Sequence, residues 1–421
     1  MMIKKADSQL IKQYNEIRLL NLIRDNGPIS RIELAKLSRI SKVAVSEIVN
    51  RLDEAGFITE VGKGEASVRG GKRPRLLKLN PENKFVVGID IRRSDTIVAI
   101  ANLDAEIREI RQYPHKVNAS ASSVLALIFR DIDQMMLMQS LKTEDMLGIG
   151  VGLPGFIDYE NGRVRFADTL RGWDNFPIAA EIERRYNVPV IIENDVKTRA
   201  FGESVLGAGR QIANLIYIWI GAGIGAGIIV NRQLYRGNMG RAGEIGYLKI
   251  QNMLNFNSEK YTYLYKNQQF LGELLSESAF VLACKRALSI NGNSLNGKSE
   301  QEIEDLTLAD IEQYLTNNRP EIAAVIDEYA HAMAGVCLQM IKTIDPKLII
   351  LGGKIIEKIP ELITRINGIL DVENHEIPFD FDGVLPDVLR REAGIKGAVV
   401  MALQSVFGLP VSPVRGHESH V

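Results

Sequence analysis

Cysteine is almost absent from this 421-residue sequence, which contains only Cys284 and Cys337. Two cysteines so far apart cannot build a disulfide framework or a cysteine-rich metal site. The scarcity therefore excludes a small disulfide-stabilised secreted domain, and it fits a protein of the reducing cytoplasm.

Long hydrophobic runs are also lacking. The longest apolar stretches are short or interrupted by glycine, so none predicts a membrane-spanning helix. The first fifteen residues carry charge but not the apolar segment of a secretory signal. Hydrophobic residues make up 46% and charged residues 24% of the chain, which is typical of globular domains and excludes a disordered or fibrous protein. We expect a cytoplasmic protein without membrane contact, and this length allows two or three domains.

The net charge of −1 conceals an uneven distribution along the chain. Residues 1–80 contain 16 Lys and Arg against 9 Asp and Glu, a net of +7, and the rest of the chain carries −8. A basic N-terminal segment on an acidic body is expected where that segment meets a polyanion, although a solvated basic surface would have the same composition.

Three short helices followed by a hairpin are predicted at the N-terminus. Apolar residues three and four apart predict a helix over 9–25, and Asn26-Gly27-Pro28 ends it. Ser30 and Glu33 form a capping-box pattern for a helix over 31–37. Ser41 caps a third helix over 42–55, and strands follow at 57–61 and 76–79. This order predicts a winged helix-turn-helix with the third helix in the recognition position, and the alternative is a small helical bundle used only for dimerisation.

Two groups of residues are candidates for DNA contact. The exposed side of the third helix offers side chains that can hydrogen-bond to bases or phosphates. After it comes a stretch with four cations in seven residues, interrupted by glycines and a proline, which suits insertion into a narrow A·T-rich minor groove. A solvated linker between domains is the alternative for this stretch. The candidates are Ser41, Lys42, Ser46, Glu47, Asn50 and Arg51 on the helix, and Arg69, Gly70, Gly71, Lys72, Arg73 and Arg75 in the basic stretch.

From Phe85 onward the pattern becomes that of an α/β protein. Strands are predicted at 85–91 and 97–103 and again at 215–220 and 228–230, each pair joined by a turn. The repeat of a strand, a turn and a second strand suggests two related lobes with a cleft between them. Further strands are predicted at 146–152 and 347–353, and helices at 121–140, 274–289, 321–344 and 394–407.

Seven short motifs in this order resemble the ROK family of repressors, open reading frames and kinases, specifically its repressors of xylose, glucose or N-acetylglucosamine metabolism. The resemblance covers nearly the whole chain and implies an α/β fold in which a winged helix-turn-helix precedes a two-lobed, actin-like (sugar-kinase-like, ribonuclease-H-type) domain. The motifs beyond the winged segment are the VGIDI strand, GVGLPG, Glu193-Asn194-Asp195, Gly202-Glu203, the glycine loop 221–227, Arg236-Gly237 with Ala242-Gly243-Glu244-Ile245-Gly246, and the late LGG.

The resemblance also implies a sugar site. Amides and carboxylates suit a polyol because each can take two hydroxyls. By resemblance Asn194 and Asp195 hold sugar hydroxyls, Asp195 also matches the catalytic base of the kinases, and Glu244 is a further ligand. The remaining candidates by resemblance are Gly155, Thr169, Tyr247 and Glu273; for Tyr247 a packed core tyrosine is the alternative.

Two departures from the family pattern weaken the case for a nucleotide site. The phosphate turn Asp-Ile-Gly-Gly-Thr of the family is replaced here by Asp90-Ile91-Arg92-Arg93-Ser94. Bulky side chains replace glycines whose backbone amides approach phosphate closely. The usual Gly-Thr-Gly is Gly221-Ala222-Gly223, which lacks the hydroxyl. We therefore expect no ATP cofactor and no catalytic residues, although phosphate binding by Arg92 and Arg93 themselves is the counter-interpretation.

A third departure concerns zinc. The family site combines a histidine after the Glu-x-Gly motif with a cysteine cluster. In this chain Tyr247 stands at the histidine position, and residues 251–270 contain neither cysteine nor histidine. Structural zinc takes about four thiolate or imidazole ligands, so we expect no zinc.

These features together predict a sugar-responsive transcriptional repressor, released from DNA by a sugar bound in the cleft. Its partners would be a near-palindromic operator with A·T-rich minor groove, a sugar effector and a second copy of the chain, as a homodimer or higher oligomer. The rivals are an ATP-dependent or bifunctional sugar kinase and a regulator that responds to another protein. The predicted domains are a winged helix-turn-helix at 1–68, a basic linker and returning wing strand at 69–80, an N-terminal lobe at 81–205, a C-terminal lobe at 206–410 with helix 394–407 able to pack on the first lobe, and a tail at 411–421.

Overall fold

The structure is a computed structural model that describes residues 8–64, 73–250, 261–266, 268–290, 305–316, 319–373 and 380–408. The chain divides into two compact units, Met1–Asp195 with Gly394–Val421, and Val196–Ala393. The second unit begins before the expected boundary at residue 206, since the helix that starts at Asp195 packs there through Val196 and Ala200 against the glycines of a neighbouring strand. Among the described residues no helix is long and apolar enough to cross a bilayer.

The N-terminal segment forms three helices and a small sheet. Ser30 accepts a hydrogen bond from the Glu33 amide at 3.3 Å, and the Glu33 carboxylate accepts one from the Ser30 amide at 2.9 Å, so the predicted capping box is confirmed. The Ser30 hydroxyl also donates to the Glu33 carboxylate at 2.6 Å, and this bond, together with the one from the Ser30 amide, lowers the pKa of Glu33. The elements are α1 Ser8–Asn26, β1 Ile29–Ser30, α2 Arg31–Ser38, α3 Lys42–Glu54, β2 Ile58–Lys63 and β3 Arg75–Leu79, with the strands in the order β1-β3-β2.

A five-stranded sheet forms the centre of the first unit, in the order β10-β7-β4-β5-β6. Strands β4, β5 and β6 are antiparallel neighbours, while β7 runs parallel to β4 and β10 parallel to β7. Strand β5 spans Asp95–Ala101 and so begins two residues before the predicted strand at 97–103. The turn before it is short, because the Arg92 amide donates to the Asp95 carbonyl at 2.9 Å. The elements are β4 Phe85–Ile91, β5 Asp95–Ala101, β6 Ile107–Pro114, α4 Ala121–Met138, β7 Met146–Leu153, β8 Phe156–Asp158, β9 Arg163–Phe166, α5 Ile178–Tyr186 and β10 Val190–Asn194, with a 3-10 turn at Thr143–Asp145.

The sheet of the second unit repeats this arrangement in the order β13-β12-β11-β14-β15. Its first three strands are antiparallel neighbours, and the last two join in parallel register. The repeat predicted from the sequence is therefore confirmed. Strand β12 begins at Ile224, earlier than the predicted 228, because residues 224–227 of the expected glycine loop pair with β11. The elements are α6 Asp195–Leu206, β11 Leu215–Ile220, β12 Ile224–Val230, β13 Gln233–Tyr235, α7 Leu271–Leu275, α8 Glu277–Ile290, α9 Leu308–Thr316, α10 Pro320–Ile344, β14 Leu348–Gly352, α11 Lys354–Lys358, α12 Glu361–Glu373 and β15 Val384–Pro386, with 3-10 turns at Ile245–Tyr247 and Arg390–Glu392.

The helix α13, Ala393–Phe407, covers the sheet of the first unit. It approaches closely because three sheet positions are glycines: a Cβ on Gly88, Gly148 or Gly150 would collide with α13. The polar Asp90 carboxylate of β4 is likewise packed against Gly394 at the start of this helix. Larger residues at these positions would force the helix away from the sheet.

Candidate functional site

The exposed face of α3 begins at its capped N-terminus. The Ser41 hydroxyl accepts a hydrogen bond from the Ala44 amide at 3.2 Å, and its own proton can still be donated outward. All of the other residues predicted on this face are exposed or, for Ser46, half-buried; they are Lys42, Ser46, Glu47, Asn50 and Arg51.

The centre of this face carries Val43, Glu47 and Asn50. A helix turns by about 100° per residue, so the buried residues Val45, Ile48, Val49 and Leu52 lie opposite a stripe that contains these three side chains. Val43 is 71% exposed. It was not predicted from the sequence as a DNA contact, because an apolar residue in a short helix is ordinarily part of the core.

The edges of the same face carry the cations. Lys42 stands at one edge and Arg51 at the other, by the same rotation per residue. The Arg51 guanidinium lies 3.6 Å from the Glu16 carboxylate of α1, so α1 holds it at the side of the face. Lys42 and Arg51 are therefore suited to the phosphates on either side of a groove rather than to base edges.

The basic stretch follows β2 and ends in β3. Lys63 of β2 pairs with Arg75 of β3, so the chain on both sides of the stretch belongs to one small sheet. This corrects the interpretation of the stretch as a linker between two domains. Arg75 donates to the Glu60 carboxylate at 2.5 Å, and Arg73 is exposed. Four of the predicted contacts, Arg69, Gly70, Gly71 and Lys72, lie outside the described residues.

The first unit contains four of the predicted sugar ligands. The Asn194 amide at the end of β10 donates to the Gly155 carbonyl at 3.1 Å, and Asp195 follows at the start of α6. Gly155 has φ +112°, and a Cβ there would lie 2.5 Å from the Phe166 carbonyl, so glycine is required. The turn that follows β9 carries Thr169 and is closed by a hydrogen bond from the Leu170 amide to the Ala167 carbonyl at 3.1 Å. These contacts bring Gly155, Asn194 and the start of the Thr169 turn together.

The turn between β4 and β5 is altered by an internal ion pair. The Arg92 side chain folds back onto Asp90, whose carboxylate is fully buried, with Nη2 and Nε each 2.8 Å from Oδ2. The Asp95 carboxylate lies 3.7 Å from the same guanidinium. The neighbouring Arg93 is exposed instead. Two adjacent arginines thus have different surroundings, one neutralising a buried acid and one facing solvent.

The second unit contains the other three predicted ligands. Gly243 has φ +87°, and its position against the Ala226 carbonyl leaves no room for a Cβ. The next residue, Glu244, has a half-buried carboxylate. Tyr247 is 59% exposed, so the alternative of a core tyrosine is wrong. The Glu273 carboxylate accepts hydrogen bonds from the Gln269 and Phe270 amides at 2.9 and 3.3 Å, which gives it a local capping role.

A buried lysine supports the Glu244 turn. Lys197 of α6 is only 1% exposed, and its ammonium donates to the Gly240 carbonyl at 2.7 Å. The same nitrogen lies 3.9 Å from the Glu244 carboxylate. Lys197 was not singled out in the sequence, because lysine in a helix is usually solvated and no local pattern predicts a partner more than forty residues away.

The residues present do not fit the zinc site of the family. Among the described residues no three His, Cys, Asp or Glu side chains are grouped to hold a metal ion. Within residues 251–270, which lack the cysteines of the family, one short segment is held by a carboxylate. Glu328 of α10 accepts hydrogen bonds from the amides of Thr262, Tyr263 and Leu264 at 2.8 to 3.2 Å. Glu328 is 8% exposed. Burial raises the pKa of Tyr261, and the charge of Glu328 adds to this effect.

The Gly202-Glu203 motif has a structural role in the second unit. Glu203 is fully buried and accepts from the amides of Ala208 at 2.8 Å and Leu389 at 2.6 Å. Asp387 lies 3.4 Å from the Tyr217 hydroxyl. Burial raises the pKa of Asp387 to about 7, with the charges of Glu203 and Glu357 adding to the effect.

The N-terminal head, which comprises α1 to β3, contacts the rest of the first unit through α13. The Asn21 side-chain amide of α1 donates to the Phe407 carbonyl at 2.8 Å, and the Arg24 guanidinium stacks over the Phe407 ring at 4.6 Å. All three residues are buried. Because α13 also lies on the central sheet near Asp90, one helix touches both the head and the sheet.

Comparison with known proteins gives two family matches. The ROK family model matches residues 86–405, and a winged helix-turn-helix DNA-binding model matches residues 13–59. The xylose repressor of Caldicellulosiruptor bescii is 28% identical over 408 residues, which cover 95% of this chain and 98% of that protein.

Two solved structures share the fold. One is a ROK family transcriptional regulator described as a homologue of the E. coli MLC protein, with a TM-score of 0.75 and 23% identity over 94% of this chain and 97% of that one. The other is a ROK family glucokinase from Streptomyces griseus, with a TM-score of 0.59 and 22% identity over 76% of this chain and 99% of that one. The fold is therefore a winged helix-turn-helix followed by a ROK domain with the actin-like fold of sugar kinases.

Proposed function

The chain belongs to the ROK family, and we propose that it is a sugar-responsive transcriptional repressor. The observation that carries this proposal is the joining of a winged helix-turn-helix at 13–59 to a ROK domain at 86–405. A relative that matches this chain over nearly its whole length is named a xylose repressor. The effector is accordingly a sugar, and the protein acts in the compartment that holds the DNA.

On DNA, the face of α3 that carries Val43, Glu47 and Asn50 enters the major groove. Asparagine pairs with adenine through two hydrogen bonds, and an exposed apolar side chain suits the thymine methyl group. Both preferences select an A·T base pair. Lys42, Arg51, Arg73 and the basic wing then neutralise phosphates or enter the neighbouring minor groove. A symmetric homodimer would read a near-palindromic operator in this way.

The sugar response begins at hydroxyl-binding groups of the ROK domain. In the first unit Asn194 and Asp195 supply an amide and a carboxylate, and Glu244 is the predicted ligand in the second. The sugar must bind the DNA-free arrangement more tightly than the DNA-bound one for release to follow. Helix α13 supports a route for the signal, since it contacts both the sheet and α1 through Phe407.

The protein works without ATP turnover and without zinc. The Arg92 guanidinium already neutralises Asp90 where the kinases have a glycine turn, so nucleotide phosphate would have to displace an internal ion pair. For zinc, the donor set is lacking and Glu328 holds the neighbouring segment. The glucokinase fold keeps a sugar kinase as the second candidate, with Asp195 as its base.

The test is fluorescence anisotropy of the full chain on labelled DNA from upstream of its own gene. The DNA complex is titrated with xylose, glucose and small oligosaccharides, and with the phosphorylated and carboxylate forms of these sugars. We expect tight binding that weakens with salt and is released by one sugar. Arg73→Ala should reduce the slope of log affinity against log salt concentration by about one, because each neutralised phosphate releases roughly one counterion. Glu244→Ala should keep DNA binding and lose the sugar response.

Two outcomes would contradict the proposal. Binding that no sugar disturbs would make the effector something other than a sugar. Sugar-dependent ATP hydrolysis above a control without protein, lost in Asp195→Asn, would establish the kinase instead.

A further inference from the structure

A polar cavity of about 360 Å³ lies in the first unit beside Thr169. This volume falls within the range of small-molecule sites. Its lining comes from three segments: the β4–β5 turn, the segment between β6 and α4, and the turn after β9. The lining residues are Arg93, Val117, Asn118, Asp168, Thr169 and Arg171.

Backbone and side-chain hydrogen bonds hold the three segments together. The His115 amide donates to the Ser94 carbonyl at 2.8 Å, which ties the first segment to the second. The Trp173 indole donates to the Ala119 carbonyl at 3.2 Å, which ties the third to the second. Trp173 is fully buried in the core, so the wall that carries Thr169 and Arg171 is anchored. These hydrogen bonds therefore fix the three walls of the cavity relative to one another.

The charge of the cavity is the informative feature. Arg93 and Arg171 contribute two cations, and Asp168 contributes one anion. Within the part of the chain that the structure describes, none of the three forms an ion pair or a side-chain hydrogen bond. Arg92 differs in this respect, since Asp90 neutralises it. Two uncommitted guanidinium groups beside the hydroxyl and amide of Thr169 and Asn118 fit a ligand that carries both hydroxyls and a negative charge.

We propose that the cavity lined by Arg93, Asn118, Asp168, Thr169 and Arg171 binds the anionic group of an acidic sugar, a sugar phosphate or a sugar carboxylate. The two arginines hold the anion, while Thr169, Asn118 and Asp168 take neighbouring hydroxyls. This inference rests on the proposed function and names the class of its effector.

The experiment is isothermal titration calorimetry on the full chain with matched ligands. The neutral probes are D-xylose and D-glucose; the anionic probes are D-xylose 5-phosphate, D-glucose 6-phosphate and D-glucuronate, with inorganic phosphate alone as a further arm. We expect at least one anionic sugar to bind more tightly than its neutral parent by on the order of tenfold, with an affinity that falls as salt rises. A comparison of the affinities for the sugar phosphates and for D-glucuronate shows whether the ligand carries a phosphate or a carboxylate.

Single substitutions test whether the cavity arginines, rather than the overall charge of the protein, bind the anionic sugar. Arg93→Ala and Arg171→Ala should each lower the affinity for the anionic sugar by on the order of tenfold. The affinity for a neutral sugar should not change. Arg163→Ala is the matched control, since Arg163 is an exposed arginine of β9 outside the cavity. The affinity of the Arg163→Ala variant for the anionic sugar should equal that of the wild type. All three side chains are exposed, so folding should be unaffected.

Three results would overturn the inference: equal affinity for neutral and anionic sugars, equal losses in Arg163→Ala and the cavity variants, or binding of inorganic phosphate as tight as that of the sugar phosphates. The anisotropy assay keeps the two proposals apart. Release of DNA by a neutral sugar alone refutes the acidic effector and preserves the repressor. If no sugar of either kind binds, both proposals fail.

Discussion

Replacing Glu328 with glutamine tests whether a carboxylate has taken over the role of a metal ion in the second unit. Its two oxygens accept hydrogen bonds from three consecutive amides, those of Thr262, Tyr263 and Leu264. Glutamine keeps one acceptor oxygen and turns an NH2 group towards donors. At least one charge-assisted bond is lost, worth about 1.5–3 kcal/mol, and a buried amide is left unpaired at about 1–3 kcal/mol. Since these overlap, we expect a local cost of about 2–4 kcal/mol.

Hydrogen exchange measured by mass spectrometry on the peptide covering 261–266 is the assay, because it reports opening of this segment alone. A cost of about 2–4 kcal/mol corresponds to a loss of protection of roughly 30- to 1000-fold. Glu361→Gln is the control: its carboxylate is half exposed and lies 3.5 Å from Arg365, a surface pair worth about 0–1 kcal/mol. A zinc chelator should change nothing in the wild type.

Either of two results would refute this reasoning. Unchanged protection in Glu328→Gln would mean that the packing of the segment, not the carboxylate, holds it. A loss of protection on adding the chelator would mean that a metal ion is bound after all, with ligands that the described residues do not reveal.

Three further predictions concern other parts of the molecule. Val43→Ser should weaken binding to the operator by about 1–2 kcal/mol, since roughly two buried methyl groups are lost, and leave binding to unrelated DNA unchanged in anisotropy; an equal loss on both would exclude base reading. Asn21→Ala should retain DNA binding, while the ratio of the DNA affinities without and with sugar falls about fivefold, which corresponds to about 1 kcal/mol of coupling. An unchanged ratio would mean that the signal bypasses α13. Because the folded pKa of Asp387 is about 7 and lies above its unfolded value, stability should fall as pH rises from about 4 to 7. Asp387→Asn should remove this fall and match the wild type near pH 4 in urea denaturation; an equal gain at pH 4 and pH 8 would point to packing.

Local signals in the sequence predicted the head well. The capping pair Ser30 and Glu33 and the cap Ser41 start α2 and α3 at the predicted residues. Caps are visible in sequence because their partners lie within three residues. The paired strands of both units were predicted for a similar reason, since continuous apolar runs bounded by glycine mark buried strands.

The parts that sequence could not predict depend on distant partners. Strand β6 carries alternating polar residues at the sheet edge, and no apolar run marks it. Three charged side chains have roles that depend on such partners. Lys197 donates to the Gly240 carbonyl, Glu328 accepts from three amides, and Arg92 pairs with the buried Asp90. Nothing in the neighbouring sequence distinguishes them from solvated charges, because the burial that makes these pairings matter is created only by the fold.

The position of α13 has a consequence for the order in which the molecule is assembled. All of Val196–Ala393 is synthesised between β10 and this helix, although β10 and α13 belong to one unit. During translation the glycine-lined surface of the first sheet, at Gly88, Gly148 and Gly150, has no covering helix until Phe407 has left the ribosome. Contacts of such high sequence separation form late. The DNA-binding head can therefore pack on Phe407 only after the whole effector domain has been synthesised. A nascent or truncated chain would contain the winged helix but lack α13, the helix that connects it to the sugar signal.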